Sequence, residues 1–182
     1  MQPIKHLTRS LASLASPEHY LFALSDLQAL LPDLSAAALK TLLSRAAAEG
    51  YLARVCRGLY LYGQVAYPQG LVLFHAAARL RANTFNYISL ETALSDAGVI
   101  SQMPINCITI MSGGRSNRID CGAWGVIEFV HTRKRPEDVA DQLHYDTRCH
   151  LWRASTALAL QDMRATRRNM DLIDWRVANE FV

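Results

Sequence analysis

A chain of 182 residues that is 51% hydrophobic and 19% charged can form one large packed core or two small ones. Its net charge of +3 excludes a strongly basic nucleic-acid coat; residues 1–66 hold six Lys/Arg against four Asp/Glu, and 67–182 thirteen against twelve, so contact with a polyanion has to come from local placement. No apolar run approaches the roughly 18–20 residues of a membrane span, and the four cysteines (Cys56, Cys107, Cys121, Cys149) form no CxxC pair. With no leader pattern over Met1–Ser16, the expectation is a cytoplasmic protein with reduced thiols and no membrane partner.

Ile4 to Ala15 places Leu7, Leu11 and Leu14 at helical spacing and predicts an amphipathic first helix. Pro17 and Glu18 begin a connection or a turn, and Tyr20, Leu21 and Phe22 are apolar enough to enter the core. Ser25 and Asp26 offer N-cap chemistry to a second helix with Leu27, Leu30 and Leu31 on one face, broken at Pro32-Asp33. Ser35 caps a third, with Leu39, Leu42, Leu43 and Ala46 at the i, i+3, i+4, i+7 spacing and Gly50 closing it. Tyr51–Cys56 and Leu59–Tyr62 are short β-type runs around Arg57-Gly58, a hairpin signal. Helix, turn, helix and two-stranded hairpin together read as a winged helix-turn-helix over residues 1–66, a unit whose second helix commonly enters a DNA groove.

Within that helix Ala36, Ala37, Lys40, Thr41, Ser44 and Arg45 lie off the leucine face, with Ser35 at its start. Small residues allow close approach to a backbone; Lys40 and Arg45 reach phosphates or guanine edges; Thr41 and Ser44 donate or accept at bases. Arg54 and Arg57 on the hairpin are placed for phosphate or minor-groove contact. The same charges also suit a solvated helix face, and winged helices also dock proteins, so a protein-docking module stands beside DNA binding as a reading of these residues.

Tyr67-Pro68 marks the junction to a second part, 67–182. Gly70–Ala82 predicts a helix with Leu71, Phe74, Ala77, Ala78 and Arg81 inward and His75 as a hydrogen-bonded group beside that face. Tyr87-Ile88-Ser89 reads as a strand running into an N-cap, and Leu90–Ala97 as a helix ended by Gly98, with Glu91 as first-turn charge. Ile105–Met111, Asn117–Gly122 and Gly125–Thr132 predict strands, the first with one covered face, and Trp124-Gly125 a bend. Pro136-Glu137-Asp138 opens a helix carried on through Leu143; His150–Arg153 is extended. Ser155 caps a helix through Arg167 with Leu158, Met163 and Ala165 inward, and Leu172–Phe181 turns Ile173, Val177 and Phe181 inward. The expected fold class is α+β: the winged helix followed by a small antiparallel sheet of at least three strands packed by helices on one side.

The order of these motifs resembles the antitoxins of the AbiE abortive-infection systems (AbiEi type), of the type IV toxin–antitoxin class. The family's Tyr-x-Ser-x-Glu-(Ser/Thr)-Ala-Leu run is matched by Tyr87, Ser89, Glu91, Thr92, Ala93 and Leu94. A strand, a Gly/Arg turn and a second strand follow at Ile108–Ile110, Gly114-Arg115 and Gly125–His131. The late helix pattern is approximated by Ala154, Ser155, Ala159, Leu160 and Asp162, and the likeness runs over residues 20 to 170. The resemblance implies a phage-defence protein in which the winged helix binds double-stranded DNA at inverted repeats of its own promoter, with self-association on that DNA, and represses the operon. The second part would counteract a nucleotidyltransferase-like toxin. The alternative is a stand-alone winged-helix regulator or docking module with no toxin partner.

Enzyme chemistry is not expected. Gly113-Gly114-Arg115-Ser116 with Asp120 has the look of a nucleotidyltransferase Gly-Ser turn, but such sites need two or three carboxylates close by, and Asp120 stands alone. Glycines serving a hairpin turn at positive φ are the simpler expectation. His131, His144, Cys149 and His150 are too loosely spaced for a zinc site, and no metal or other cofactor is expected.

Overall fold

The structure, a computed structural model, describes residues 2–101 and 106–182. It divides into two compact units, Met1–Val72 and Leu73–Val182.

In the first unit α1 (Pro3–Leu14) buries Leu7 and Leu11 completely, while Leu14, expected on that face, stays 47% exposed in the last turn. Leu21 and Phe22, expected only to enter the core, do so as part of a strand: β1 (Leu21–Ala23) pairs antiparallel with Leu59–Leu61. Three residues carry no legible alternation, so only the partner strand reveals it. Helix α2 (Leu24–Leu30) begins directly after β1, earlier than the Ser25-Asp26 cap predicted; its N-cap is Ala23, whose amide donates to the Asp26 carboxylate at 2.8 Å. After the break at Pro32-Asp33, α3 (Ala36–Ala48) starts at Ser35, whose hydroxyl accepts from the Ala38 amide, and it ends before Gly50 at φ 79°. The strands β2 (Ala53–Cys56) and β3 (Leu59–Leu61) pair antiparallel across Arg57-Gly58, and Gly58 takes the left-handed φ of 79° that the tight turn requires. The order β1-β3-β2 makes a small antiparallel sheet. Leu7, Leu11, Phe22, Leu27, Leu39 and Leu43 form the centre of the core, each almost or wholly out of water, which is worth about 1.5–3 kcal/mol per large side chain.

The second unit is built on a six-stranded sheet in the order β6-β7-β5-β4-β9-β8. Its strands are β4 (Asn86–Ile88), β5 (Cys107–Ser112), β6 (Asn117–Asp120), β7 (Val126–His131), β8 (Leu143–Asp146) and β9 (Leu151–Ala154). The sheet is mixed and not antiparallel as expected: β4 runs parallel to β9, and β5 parallel to β7. The side chains explain the order. β6 exposes Asn117, Arg118 and Asp120, which suit an edge, whereas β7 buries Ile127 and Phe129 and takes the interior place between β6 and β5. β5 is covered on both faces, not one, because Ile108 through Ser112 are all buried; its Thr109 is satisfied by hydrogen bonds inside. Of the predicted strand Ile105–Met111, Ile105 lies outside the described residues.

Four further departures are local. A 3-10 turn (Gln69–Leu71) leads into α4 (Val72–Leu80), and the buried face is Val72, Leu73, His75, Ala76 and Ala77, about one residue rotated from the face predicted. Helix α6 (Pro136–Val139) does not continue to Leu143; a 3-10 turn (Ala140–Gln142) leads into β8. In α7 (Thr156–Ala165) the charged Asp162 is buried and Ala165 exposed, reversing the expected inward set at that end. Past a 3-10 turn (Met170–Leu172), α8 (Trp175–Ala178) buries Ala178, while Phe181 is 50% exposed. Between β4 and β5, α5 (Leu90–Asp96) packs on β5 and on α7. No described helix is long and apolar enough to cross a membrane.

Candidate functional site

The face of α3 that the sequence singles out is open to solvent along its length. Leu39, Leu42, Leu43 and Ala46 take the opposite side into the core, and Ser35, Ala36, Ala37, Lys40, Thr41, Ser44 and Arg45 are all exposed. Their hydrogen-bonding capacity is not equally free. Ser35 spends its oxygen on the helix start, accepting from Ala38 N–H at 3.2 Å, and Thr41 donates back to the Ala37 carbonyl at 3.1 Å, leaving its lone pairs outward. Arg45 is loosely paired with Glu49 at 3.7 Å, an exposed i, i+4 pair worth about 0.3–0.5 kcal/mol and easily exchanged for another anion. Among the described residues Lys40, Arg54 and Arg57 have no acidic partner.

On the hairpin, Arg54 and Arg57 are exposed, with Arg57 at the turn beside Gly58. Arg54 donates from Nε to the Cys56 carbonyl at 3.4 Å, and the β2–β3 register shifts between Arg54 and Cys56. Such a bulge adds local twist and re-aims neighbouring side chains. Helix α3 and the hairpin therefore present four of the unit's six cations, two each, with small or hydroxylated residues between those of the helix.

A second cluster lies in the other unit, buried except for the half-buried Lys134 at its rim. Asp162 of α7 is 0% exposed; its Oδ2 accepts from Ser89 Oγ at 2.7 Å and its Oδ1 from Lys134 Nζ at 2.6 Å. Ser89 sits at the N-cap position of α5, but its side chain does not cap the helix as expected. The buried carboxylate is the stronger acceptor for a hydroxyl with no access to water. The first turn is fixed instead by Thr109, whose Oγ1 donates to the Ser89 carbonyl at 2.7 Å and accepts from the Thr92 amide at 3.1 Å, while Thr109 N–H donates to Thr92 Oγ1 at 2.8 Å. Leu90, the first residue of α5, is held fully buried at φ 56°, a left-handed conformation costly for leucine. Tyr87 is buried nearby; burial and the Asp162 carboxylate push its phenol above the ordinary tyrosine range, and its oxygen makes no hydrogen bond of good geometry. Glu91 pairs with Arg168 at 3.4 Å, and Arg168 also reaches Glu128 at 2.8 Å. Thus Glu91 joins an internal ion-pair group as well as opening a helix.

Tyr87 and Ser89 meet Asp162, more than seventy residues further along the chain, because β4, α5 and α7 converge. Lys134 and Thr109 complete the cluster, and no local pattern announced them. With the hydroxyl and carboxylate both shut away from solvent, the arrangement supports the fold and offers no route to a substrate.

The remaining candidates stay apart. Asp120 accepts from the Gly122 amide at 2.8 Å in an exposed turn. Gly113 and Gly114 do not take positive φ, contrary to expectation. Gly114 has a different reason to be glycine: a Cβ there would stand 3.0 Å from Arg81 Nη1. His131 Nδ1 lies 2.9 Å from the Gly114 carbonyl. His75 is buried, its Nε2 2.6 Å from the Arg148 carbonyl and its ring stacked on His150 at 4.5 Å. The Cys149 thiol is pushed up to about 11 by burial, with the Asp146 carboxylate adding to it. Among the described residues no three His, Cys, Asp or Glu side chains stand close enough to hold a metal ion.

No protein-family model matches this chain, and no curated protein matches it. The crystal structure of RV2827C protein from Mycobacterium tuberculosis is similar in fold, with a TM-score of 0.52 at 14% identity, over 93% of this chain and 53% of that one. The chain therefore spans about half the length of that protein.

Proposed function

We propose that residues 1–66 act as a winged helix-turn-helix that binds double-stranded DNA through α3 and the β2–β3 hairpin. The chain as a whole is then a non-enzymatic DNA-binding antitoxin and autorepressor of a type IV toxin–antitoxin operon. The observation that carries the DNA reading is the α3 face: one side fully committed to the core, the other bearing Lys40, Thr41, Ser44 and Arg45 in solvent. Two more exposed cations, Arg54 and Arg57, stand on the hairpin. Cations without acidic partners favour phosphate, and hydroxyls between them favour base edges. Four cations make a modest electrostatic footprint, which suits two copies on an inverted repeat better than one copy alone.

The antitoxin half of the proposal rests on the ordered motifs of 67–182 and their resemblance to AbiE antitoxins. The motif residues Tyr87, Ser89, Glu91 and Asp162 are spent inside the unit, so a toxin would be met by surface residues outside the motif. Gel shifts on the DNA upstream of the chain's own gene test the reading. Salt-dependent binding, weakened in Lys40→Ala and in Arg57→Ala, is the expected result; no binding, or both variants matching the unsubstituted chain, contradicts it. Co-expression of the full chain with a neighbouring nucleotidyltransferase-like gene tests the second half: growth is rescued if it holds, and a chain that binds its DNA but rescues nothing is a stand-alone regulator.

A further inference from the structure

The second unit carries an exposed aromatic surface that the α3 reading leaves without a role. Tyr145 on β8 and Trp152 on β9 are cross-strand partners, their rings edge-on at 70° with centroids 5.4 Å apart, and they are 49% and 44% exposed. Beside them opens a cavity of about 210 Å³ lined by these two rings together with Arg81, Phe85, Asn86 and His150 among others. No carboxylate lines it, and Asp146, the acid at the end of β8, is taken up by Arg153 at 2.9 Å. Arg81 is fixed there by Ser112 Oγ at 2.7 Å, by the Arg115 carbonyl at 2.6 Å and by the Phe129 ring 3.9 Å from its guanidinium carbon. Asn86 is 6% exposed; its amide nitrogen donates to the carbonyls of Arg81 and Thr84, and its Oδ1 has no donor among the described residues.

We infer that this is a stacking site for an unpaired nucleotide of a single-stranded nucleic acid. Two solvent-facing π surfaces offer a platform on which any base can stack, and the Arg81 guanidinium in the lining places one positive charge beside it. The unpartnered Asn86 oxygen supplies an acceptor at the cavity wall for a base N–H, such as the N3–H of thymine. Charge decides between occupants: a cavity lined by an arginine and no acid, beside two open π faces, fits an anionic strand with stackable bases and disfavours a basic peptide. This site is independent of the reading given to α3.

The test uses the full chain and a short single-stranded oligo(dT) without inverted repeats, followed by fluorescence anisotropy at low salt. Trp152→Ala should weaken binding by ~5-fold to ~100-fold, the range of one lost base–aromatic stack, while Trp152→Phe stays within about threefold because it keeps a π face. Tyr145→Ser gives a second arm at an exposed position should Trp152→Ala disturb the hairpin, and it should weaken binding in the same direction. The double variant Lys40→Ala/Arg57→Ala should bind the single strand unchanged. Absence of single-strand binding overturns the inference, as does Trp152→Ala binding like the unsubstituted chain, or loss of binding in the α3 and hairpin double variant. Free thymidine monophosphate competing as well as the strand would also overturn it, moving the occupant to a free nucleotide.

Discussion

The exposed face of α3 and the buried cluster around Asp162 use similar side chains to opposite ends. Both contain hydroxyls and a lysine. On α3 the lysine has no acidic partner and Thr41 keeps its lone pairs toward water. Around Asp162, Ser89, Thr92 and Thr109 are locked into bonds of 2.7–3.1 Å away from solvent, and the half-buried Lys134 closes the cluster at 2.6 Å. Polar atoms buried and satisfied hold a fold in one arrangement, because removing any one strands the rest. Polar atoms exposed and unsatisfied cost the fold little and remain free to meet a partner. The residues that make the sequence resemble a family fall mostly in the first class, and the residues proposed to touch DNA fall in the second.

That contrast is broken most forcefully at Asp162. Asp162→Ala strands the buried Ser89 hydroxyl and removes the acceptor of the half-buried Lys134 ammonium, and should cost about 1–3 kcal/mol in urea unfolding; a loss under about 0.5 kcal/mol would mean the cluster is incidental. Ser35 lies on the boundary between the classes, since its position suggests DNA contact while its oxygen is engaged by Ala38 N–H. Ser35→Ala is therefore expected to cost about 1 kcal/mol of stability and to leave DNA affinity within about twofold; the reverse pattern would return Ser35 to the DNA face. The smallest effect is at His75. Burial holds its imidazole below the ordinary histidine range; the Arg148 carbonyl partly offsets this, and His150 adds to it. Because the unfolded chain takes up that proton at about pH 6.5, this contribution to stability is complete above that pH and declines as pH falls below it. The Tm of the unsubstituted chain should fall faster than that of His75→Gln on acidification below pH ~6.5, and parallel curves would contradict the assignment.

How much of this was readable beforehand follows the range of the interactions. The helices of the first unit were legible because their signals are local: the leucine period of α3, the Ser35 cap, the break at Pro32 and the left-handed glycines at 50 and 58. The strands β1 and β8 were not, since three or four residues become a strand only through a distant partner. The mixed order of the large sheet likewise depends on which strands tolerate an edge, a property of β6 and β7 taken together. At the sites, the exposure of Lys40, Thr41, Ser44 and Arg45 followed directly from the apolar face opposite, and that of Arg57 from its place in the turn beside Gly58. Asp162 and Ser89 were visible only as letters in a motif. A carboxylate is by its charge assigned to solvent even on the apolar side of a helix, and nothing nearby in the chain names Lys134 as its counter-ion.

The central claim is that the α3 face and the hairpin arginines meet DNA phosphates and play no structural part. The most direct measurement is the salt dependence of affinity for the upstream DNA in the unsubstituted chain and in Lys40→Ala/Arg57→Ala, with urea stability measured alongside. The expected result is a log–log slope shallower by about 2 per protomer, one for each phosphate contact removed, with stability changed by under about 0.5 kcal/mol. An unchanged slope, or a slope that changes only because the double variant is destabilised, would contradict it.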